Sequence, residues 1–516
     1  MEANTGHPRR WTILGVLVFS LLAVVLDNTI LNVAMRTIAD PVHGLGATQS
    51  QLEWAINSYT LVFAGLLFTF GVIGDRTGRK RMLFIGMALF GLSSLASAYS
   101  QDPTQLILAR AAMGIGGAAI MPATLAIISN VFPPAERGKA IGFWAGGVGL
   151  AVAIGPITGG LLIERFWWGS VFLINVPIVV ISMILIGTIV PESRDPKPSR
   201  LDPFGVLLSI VGLVAVVYGI IRGGELATVT DPEVYVPALV GLAVLAVFVW
   251  WERRIDHPVF DVRNFANARF STAIGMMGIV FFAMMGGMFF LTFYLQIVLG
   301  FSPVQAGALM IPFAAAQLIF APLSQRMNER FGAKLASTVS MLLITMALAS
   351  YAFLDQNTPV FLIEIVFFVQ GAAMANIMPP ATTAIMESLP REKAGVGSAM
   401  SNTVRQIAGA LGVAVLGSVL SSSYRGEIAP ALSGLPADTQ HAAGESIMAT
   451  VGAAQALGER GQALIKPAFA AFLDGMHVTA LISAVIALLG VAVVARWMPG
   501  KPRALQQSEV KEPAVV

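Results

Sequence analysis

Repeated runs of about 20 mostly apolar residues constrain this chain more than any other feature, because that is the length a helix needs to cross the hydrocarbon core of a bilayer. Such runs fall near 11–35, 53–73, 82–100, 105–131, 140–163, 170–190, 204–222, 236–251, 271–298, 303–325, 335–354, 360–386, 394–420 and 474–498, fourteen in all. Within lipid each backbone N–H and C=O must be satisfied inside its own segment, which selects helices for runs of this length. The composition agrees: 56% of the 516 residues are hydrophobic and 12% are charged, about half the charge of a soluble domain. A soluble chain of this make-up would expose large apolar patches. With no cysteine, disulfides, thiol catalysis and Cys-ligated metals are excluded. The isoelectric point near 9.2 comes from basic residues scattered through short loops, so no nucleic-acid partner is expected. The first run lacks an A-x-A-like cleavage site and is expected to be a retained span. The expected fold class is an all-α polytopic membrane protein.

Lys and Arg set the orientation. The loops that include both chain ends hold 24 of the 32 basic residues. The alternate loops hold 6: Arg36, Arg165, Arg222, Arg425, Arg460 and Lys466. Arg110 and Arg405 fall inside spans. This bias places both termini in the cytoplasm, and two ends on one side require an even number of spans.

The chain also repeats itself. Asp75-Arg76-Thr77-Gly78-Arg79-Lys80 returns as Glu329-Arg330-Phe331-Gly332-Ala333-Lys334, 254 residues later. Ala140 and Ala394, each after a short charged loop, share that offset. Six spans end near residue 190, and the remaining length accommodates two more spans before the repeat begins. The expected organisation is an N-terminal six-helix bundle (1–190), two inserted helices (191–270), a C-terminal six-helix bundle (271–498) with a long external loop (421–473), and a tail (499–516). A parallel repeat of this kind fits two bundles related by an axis along the membrane normal.

Several segments carry a family resemblance. GVIGDRTGRKR at 71–81, with Gly71, Gly74, Asp75, Arg76, Gly78 and Arg79, resembles the loop signature of the major facilitator superfamily. Leu26-Asp27-Asn28-Thr29-Ile30-Leu31-Asn32-Val33-Ala34 resembles the first-helix motif of its fourteen-helix drug:proton antiporters. Arg110 with Gly114, Gly116, Gly117 and Ala118 resembles their fourth-helix motif, and Gly155-Pro156 with Gly159-Gly160 their antiporter motif. Asn402-x-x-Arg405-Gln406-x-x-Gly409 resembles a late-helix signature. The chain departs from the pattern at Met113, Arg36 and Ala151, where Gln, Pro and Gly are usual. The resemblance implies a major facilitator fold and export of small molecules in exchange for protons. It also implies that Asp75 docks at the N-terminus of the span beginning near Ala394 when the protein faces out and lies apart from it when the protein faces in, with Glu329 in a weaker equivalent part near Ala140.

Position alone singles out further residues. Asp27 lies sixteen residues into the first span, and an acid at that depth normally faces a cavity or a partner. Arg110 enters the fourth span from the opposite end to a similar depth and cannot shed its proton. The pair is read as the proton-coupling site; the plainer alternative is a static anchor between helices. Glu53, Glu364, Arg405, Asn32 and Tyr294 are candidates for secondary coupling or substrate contact. Glu53 and Glu364 sit near the far ends of their spans, where carboxylates are usually hydrated. Tyr294 belongs to a Met- and Phe-rich stripe from Met276 onward that either lines a pocket or packs against neighbours. The loop 421–473 is either a lid or an inert surface element.

No G-x-x-x-x-G-K-[ST] loop is present, so ATP is not the direct energy source. No His-rich or Glu-rich spacing suggests a metal, and no cofactor is expected. An enzyme would need a polar catalytic cluster, and a sensor an added soluble domain; neither is visible. The reading is a proton-coupled exporter of lipophilic or amphipathic molecules in a bacterial inner membrane, acting as a monomer in the lipid bilayer. The alternative is a dedicated exporter of one metabolite, such as a self-made antibiotic or siderophore.

Overall fold

The computed structural model describes residues 6–194, 201–256, 258, 261–388 and 394–498. The tail 499–516 lies outside the described residues, as do the side chains of Glu329 and of residues 394–399. Among the described residues, fourteen long helices cross the molecule. In the first half they are α1 (Arg10–Ala39), α2 (Gln49–Thr77), α3 (Arg79–Ala98), α4 (Pro103–Val131), α5 (Pro134–Arg165) and α6 (Asn175–Ile189, entered through Ser170–Leu173). Two follow as α7 (Pro203–Leu226) and α8 (Pro232–Arg254). The second half holds α9 (Ala268–Phe293), α10 (Ile311–Phe331, entered through Pro303–Ala308), α11 (Ala333–Ser350), α12 (Val360–Glu387), α13 (Ala394–Leu432) and α14 (Gln462–Trp497). Among the described residues, thirteen helical stretches are long and apolar enough to span a membrane. The other, α5, is 32 residues long. Its length suffices, although several of its side chains lie outside the described residues. Both described chain ends emerge at one end of the molecule, here the near end; the opposite end is the far end.

Local chemistry explains where these helices start. At Thr48 the hydroxyl accepts from Gln51 N at 3.3 Å and the Gln51 side chain accepts from Thr48 N at 3.0 Å. Ser302 and Gln305 form the same reciprocal capping box, which satisfies backbone donors left over at a helix start. Asp102, Asp202 and Asp231 cap helices whose first residue is proline, a residue whose missing N–H costs nothing there.

The repeat is exact to the residue at these punctuation points. Shifting Thr48 and Gln51 by 254 gives Ser302 and Gln305. The same shift carries Gly46 (φ +60°) to Gly300 (φ +68°) and Gly78 (φ +125°) to Gly332 (φ +83°). All four glycines adopt a backbone conformation that a side chain would strain. Shifted α2 runs 303–331, where the chain is helical from Pro303 to Phe331 apart from a break at 309–310. Packing repeats too. α2 lies against α4, α3 against α4, α1 against α5 and α3 against α6; α10 lies against α12, α11 against α12, α9 against α13 and α11 against α14.

The bundles meet mainly along α2 against α13 and α5 against the chain leading into α10. The described hydrogen bonds between bundles cluster at the far end. Arg36 donates to Gln296 O, Gln296 Nε2 to Val33 O at 3.1 Å, and Gln49 Nε2 to Gly417 O at 3.0 Å. Arg36 is therefore the last turn of a helix, where a far-side loop was expected. Glycines make the approach possible. A methyl on Gly307 would lie 2.5 Å from Pro156 O, and one on Gly160 2.6 Å from Val304 Cα. What remains between the bundles there is a cavity of about 20 Å³ bordered by Thr29, Asn32, Pro156, Met288, Thr292 and Gln296, room for about one water. The far end is closed.

The two inserted helices differ from each other. α8 presents Leu239, Leu242, Val247 and Trp250 outward. α7 lies in the groove over α2 and α13. At the far end it touches both bundles: Ser50 of α2 donates to Glu225, and Ser418 Oγ of α13 donates to Ile220 O at 2.9 Å. Gly307→Val should prevent far-end closure, because Pro156 O leaves no room for the side chain. Single cysteines at far-end positions, in this cysteine-free chain, should then become more reactive toward a membrane-impermeant maleimide than in the parent.

Candidate functional site

The site is a cluster of polar groups inside an otherwise apolar bundle. Asp27 on α1 and Arg110 on α4 are each 1% exposed. Arg110 Nη1 donates to Asp27 Oδ2, and Arg110 Nε donates to Ala55 O on α2 at 3.1 Å. The guanidinium also lies 4.4 Å above the ring of Tyr59. From α6, Asn175 Nδ2 donates to Asp27 Oδ1 at 3.3 Å and to Ser94 Oγ at 3.0 Å, and Ser94 Oγ donates to Phe172 O at 2.8 Å. Asn28 Nδ2 donates to Tyr59 Oη at 3.2 Å. The carboxylate thus takes partners from α4 and α6, and α2 and α3 join the same network through Arg110 and Asn175. The depths read from the sequence bring Asp27 and Arg110 together as expected. Asn175, Ser94 and Tyr59 were not singled out, since Ser, Asn and Tyr in an apolar run carry no signal of their own.

Small residues position this cluster. Gly114, Gly116 and Gly117 let α4 approach α2 and α3: methyl groups there would lie 2.6 Å from Tyr59 O, 2.7 Å from Phe90 N and 2.8 Å from Tyr59 Oη. Gly155 faces Thr29, and Gly159 faces Ile30, so the antiporter segment seats α5 against α1. Gly160 faces the other bundle instead. Pro156 exposes its carbonyl toward Gly307 across the same seam.

The remaining candidates scatter. Asn32 borders the small far-end cavity. Tyr294 starts a single π-helical turn and donates from Oη to Asp355 O at 2.8 Å, in a far-end loop. Its partner is therefore the far-end loop and not the Asp27–Arg110 cluster. Glu364 is exposed on α12, apart from the cluster. Arg405 is partly buried, with its guanidinium 5.0 Å above the ring of Phe281. Its Nε has no hydrogen-bond partner among the described residues. The expectation for Glu53 needs correcting. It is not a hydrated rim carboxylate: it is 2% exposed, because α7 and α13 cover it from the other bundle's side.

At the near end the loop motif pairs within itself. Asp75 pairs with Arg79 at 2.7 Å within α2–α3, and Arg79 Nη1 reaches Ala126 O at 3.4 Å. The anion at the N-terminus of α3 is Glu192, which accepts from Lys80 N at 3.1 Å and Arg81 N at 3.2 Å. Its carboxylate fills the space beside Gly78 that a side chain would need. Carboxylates suit a helix start, where amide N–H groups are free and the dipole is positive. Gly71 lies against Pro122, and Gly74 against Met82. Arg76 is exposed. The docking of Asp75 on the span that begins at Ala394 falls on side chains outside the described residues.

Two helical bundles with an internal repeat, a buried ion pair in the first and a closed seam at one end define a polytopic transporter. The family model for the Major Facilitator Superfamily matches residues 17–413, and the chain belongs to that superfamily. It is 33% identical over 496 residues to the multidrug efflux pump LfrA of Mycolicibacterium smegmatis, covering 95% of this chain and 97% of that protein. It is 34% identical over 491 residues to the methyl viologen resistance protein SmvA of Salmonella typhimurium, covering 94% and 97%. It is 30% identical over 520 residues to the tetracenomycin C resistance and export protein of Streptomyces glaucescens, covering 98% and 95%. Among solved structures, a bacterial homologue of the human lysosomal transporter Spinster, inward-facing and unoccupied, superposes with a TM-score of 0.65 at 20% identity, over 95% of this chain and 99% of that one. That likeness shows the fold. The superfamily reading of the sequence motifs is borne out, and the chain is a multi-pass membrane protein.

Arg110→Leu should cost about 3–5 kcal/mol, since it leaves Asp27 buried without a cation. The double variant Asp27→Asn/Arg110→Leu should recover much of that loss. Thermal unfolding of the detergent-solubilised variants measures both, and a double variant no more stable than the single would mean that the charge pair is not the stabilising element.

Proposed function

We propose that the chain exports lipophilic or amphipathic small molecules from a bacterial cytoplasm in exchange for protons, with Asp27 as the proton-binding group. The observation that carries this reading is the Asp27–Arg110 pair, buried to 1% exposure and held between α1, α2, α4 and α6. The guanidinium favours the carboxylate, and desolvation favours the neutral acid. A rearrangement of the helices changes the balance between the two, so proton binding and helix position are linked. Asn175 holds the second carboxylate oxygen, and Ala55 O with the Tyr59 ring keeps Arg110 in place when the acid is neutralised. The three relatives named above, described as an efflux pump and as resistance or export proteins, support the direction of transport.

The near end, rich in Lys and Arg, is the cytoplasmic one on this reading. The closed far end is then the outer gate. When it opens, Asp75 moves to the N-terminal turn of α13 and locks the inner side. On this reading Asn32, at the seam, and Arg405, at the wall of the second bundle, meet substrate, which their positions beside the far-end cavity and over Phe281 support. A proton moving through 100 mV releases about 2.3 kcal/mol, and at 1.36 kcal/mol per factor of ten this sustains roughly a fiftyfold gradient of a neutral solute. Each chain acts alone.

A second reading is a dedicated exporter of one metabolite. The relative named for tetracenomycin C export favours it. Dye and drug uptake into inverted vesicles, with and without a proton gradient, separates the two by breadth of substrate.

Asp27→Asn should leave the protein inserted and abolish gradient-driven uptake into proteoliposomes, while downhill exchange of substrate continues. Gradient-driven uptake at the parent rate would remove Asp27 from the coupling role.

A further inference from the structure

The far-end seam holds a second buried carboxylate that the pair at Asp27 does not explain. Glu53 sits one turn into α2 and is 2% exposed. Its Oε1 accepts one long hydrogen bond, 3.4 Å, from Gln49 Nε2. Its Oε2 is buried with no hydrogen-bond partner, and no cation among the described residues forms an ion pair with it. From the other bundle, Gly417 of α13 packs directly on the carboxyl group: a methyl at Gly417 would lie 2.6 Å from Glu53 Cδ. The neighbouring Gln49 spends its amide on Gly417 O as well, at 3.0 Å. From α7 the charge that faces Glu53 is Glu225, a like charge. Arg222 on the same helix is committed to Glu225 at 2.7 Å and to Glu233 at 2.6 Å. The α13 residue that meets Glu53 is Gly417, which is neutral, and the cavity beside Gln49 is edged by Ser446, Met448 and Phe472, also neutral. Arg110 binds Ala55 O two residues along α2 and pairs with Asp27.

An ionised carboxylate enclosed this way, with one weak neutral donor and a like charge nearby, carries an unpaid desolvation cost. The same group would be hydrated if α2 and α13 parted at the far end. We propose that Glu53 is a proton-binding gate: it takes up a proton from the far side as the seam closes and returns it to that side as the seam opens. This rests on the transport reading above but assigns Glu53 a different task from Asp27. The Asp27 proton crosses the membrane, whereas the Glu53 proton does not. Proton binding at Glu53 and closure of the far end are then two sides of one linkage, each favouring the other.

The test uses the full chain in lipid nanodiscs, with spin labels at Val42→Cys and Gln356→Cys, exposed far-end positions in different bundles. Electron–electron distance distributions are recorded across a pH series. In the parent, the short-distance population should grow as pH falls. In Glu53→Gln, a neutral isostere, it should stay at its low-pH level at every pH. Glu53→Asp, which keeps the titrating group, should retain a pH-dependent shift with a displaced midpoint, and it stands in if Glu53→Gln does not assemble. Infrared difference spectra should show a protonated-carboxyl band in the closed state that Glu53→Gln lacks and Asp27→Asn keeps. A Glu53→Gln protein that follows the parent's pH response, or a parent with no response, overturns the gate. Asp27→Asn separates the two ideas. If it transports uphill normally, the coupling role of Asp27 falls while the Glu53 result stands; if it loses transport but keeps the pH-dependent distances, both survive.

Discussion

Asp27 and Arg110 are both buried among apolar helices, and much of the first bundle is arranged around pairing them. Arg110 cannot lose its proton, so α1 must bring Asp27 to it. The remaining guanidinium donors then call for Ala55 O and the face of Tyr59, which fixes α2. The second oxygen of Asp27 calls for Asn175, which fixes α6 and, through Ser94, α3. The glycines of α4 and α5 are the steric counterpart of this network. Without them the backbones could not come close enough for side chains this short to meet.

The internal repeat makes the asymmetry between the bundles informative. Helix starts, capping boxes and left-handed glycines recur at the 254-residue offset, yet the charged cluster does not. The position equivalent to Asp27 is Phe281, and that equivalent to Arg110 is Glu364, exposed on the surface. The cation of the second bundle comes from α13 instead, with Arg405 stacked on Phe281 itself. Two copies of one scaffold have thus parted in chemistry. The first holds the buried ion pair; the second presents a cation, an aromatic ring and methionines along its α9 face.

Much of the fold was legible because bilayer thickness converts length directly into spans, and because loop charge and a shared offset read out topology without any knowledge of packing. The buried pair of Asp27 and Arg110 was legible for the same reason: depth along a span is a one-dimensional quantity. What escaped depends on the second bundle or on helix rotation. Glu53 reads as a rim carboxylate until α7 and α13 are laid over it. Glu192 lies in a polar stretch after α6, and only the fold brings it to the start of α3. Gln296 and Arg36 meet across the seam, 260 residues apart. The Met and Phe stripe of α9 divides, with Met276, Met277, Phe289 and Phe290 in the core and Met288 at the far-end cavity.

Arg110 is held by three things, and only one of them titrates. The Ala55 carbonyl and the Tyr59 ring keep its guanidinium in place whether or not Asp27 carries a proton. The positive charge is therefore stationary in the membrane's electric field, and on the proposed reading only the proton and the substrate move. One proton exchanged for one neutral molecule shifts a net charge, so both voltage and the pH difference drive it. One proton exchanged for a monovalent cation shifts none, so only the pH difference does. The same transporter would then respond differently to a collapse of membrane potential according to the charge of its cargo, a property set by the anchoring of one arginine.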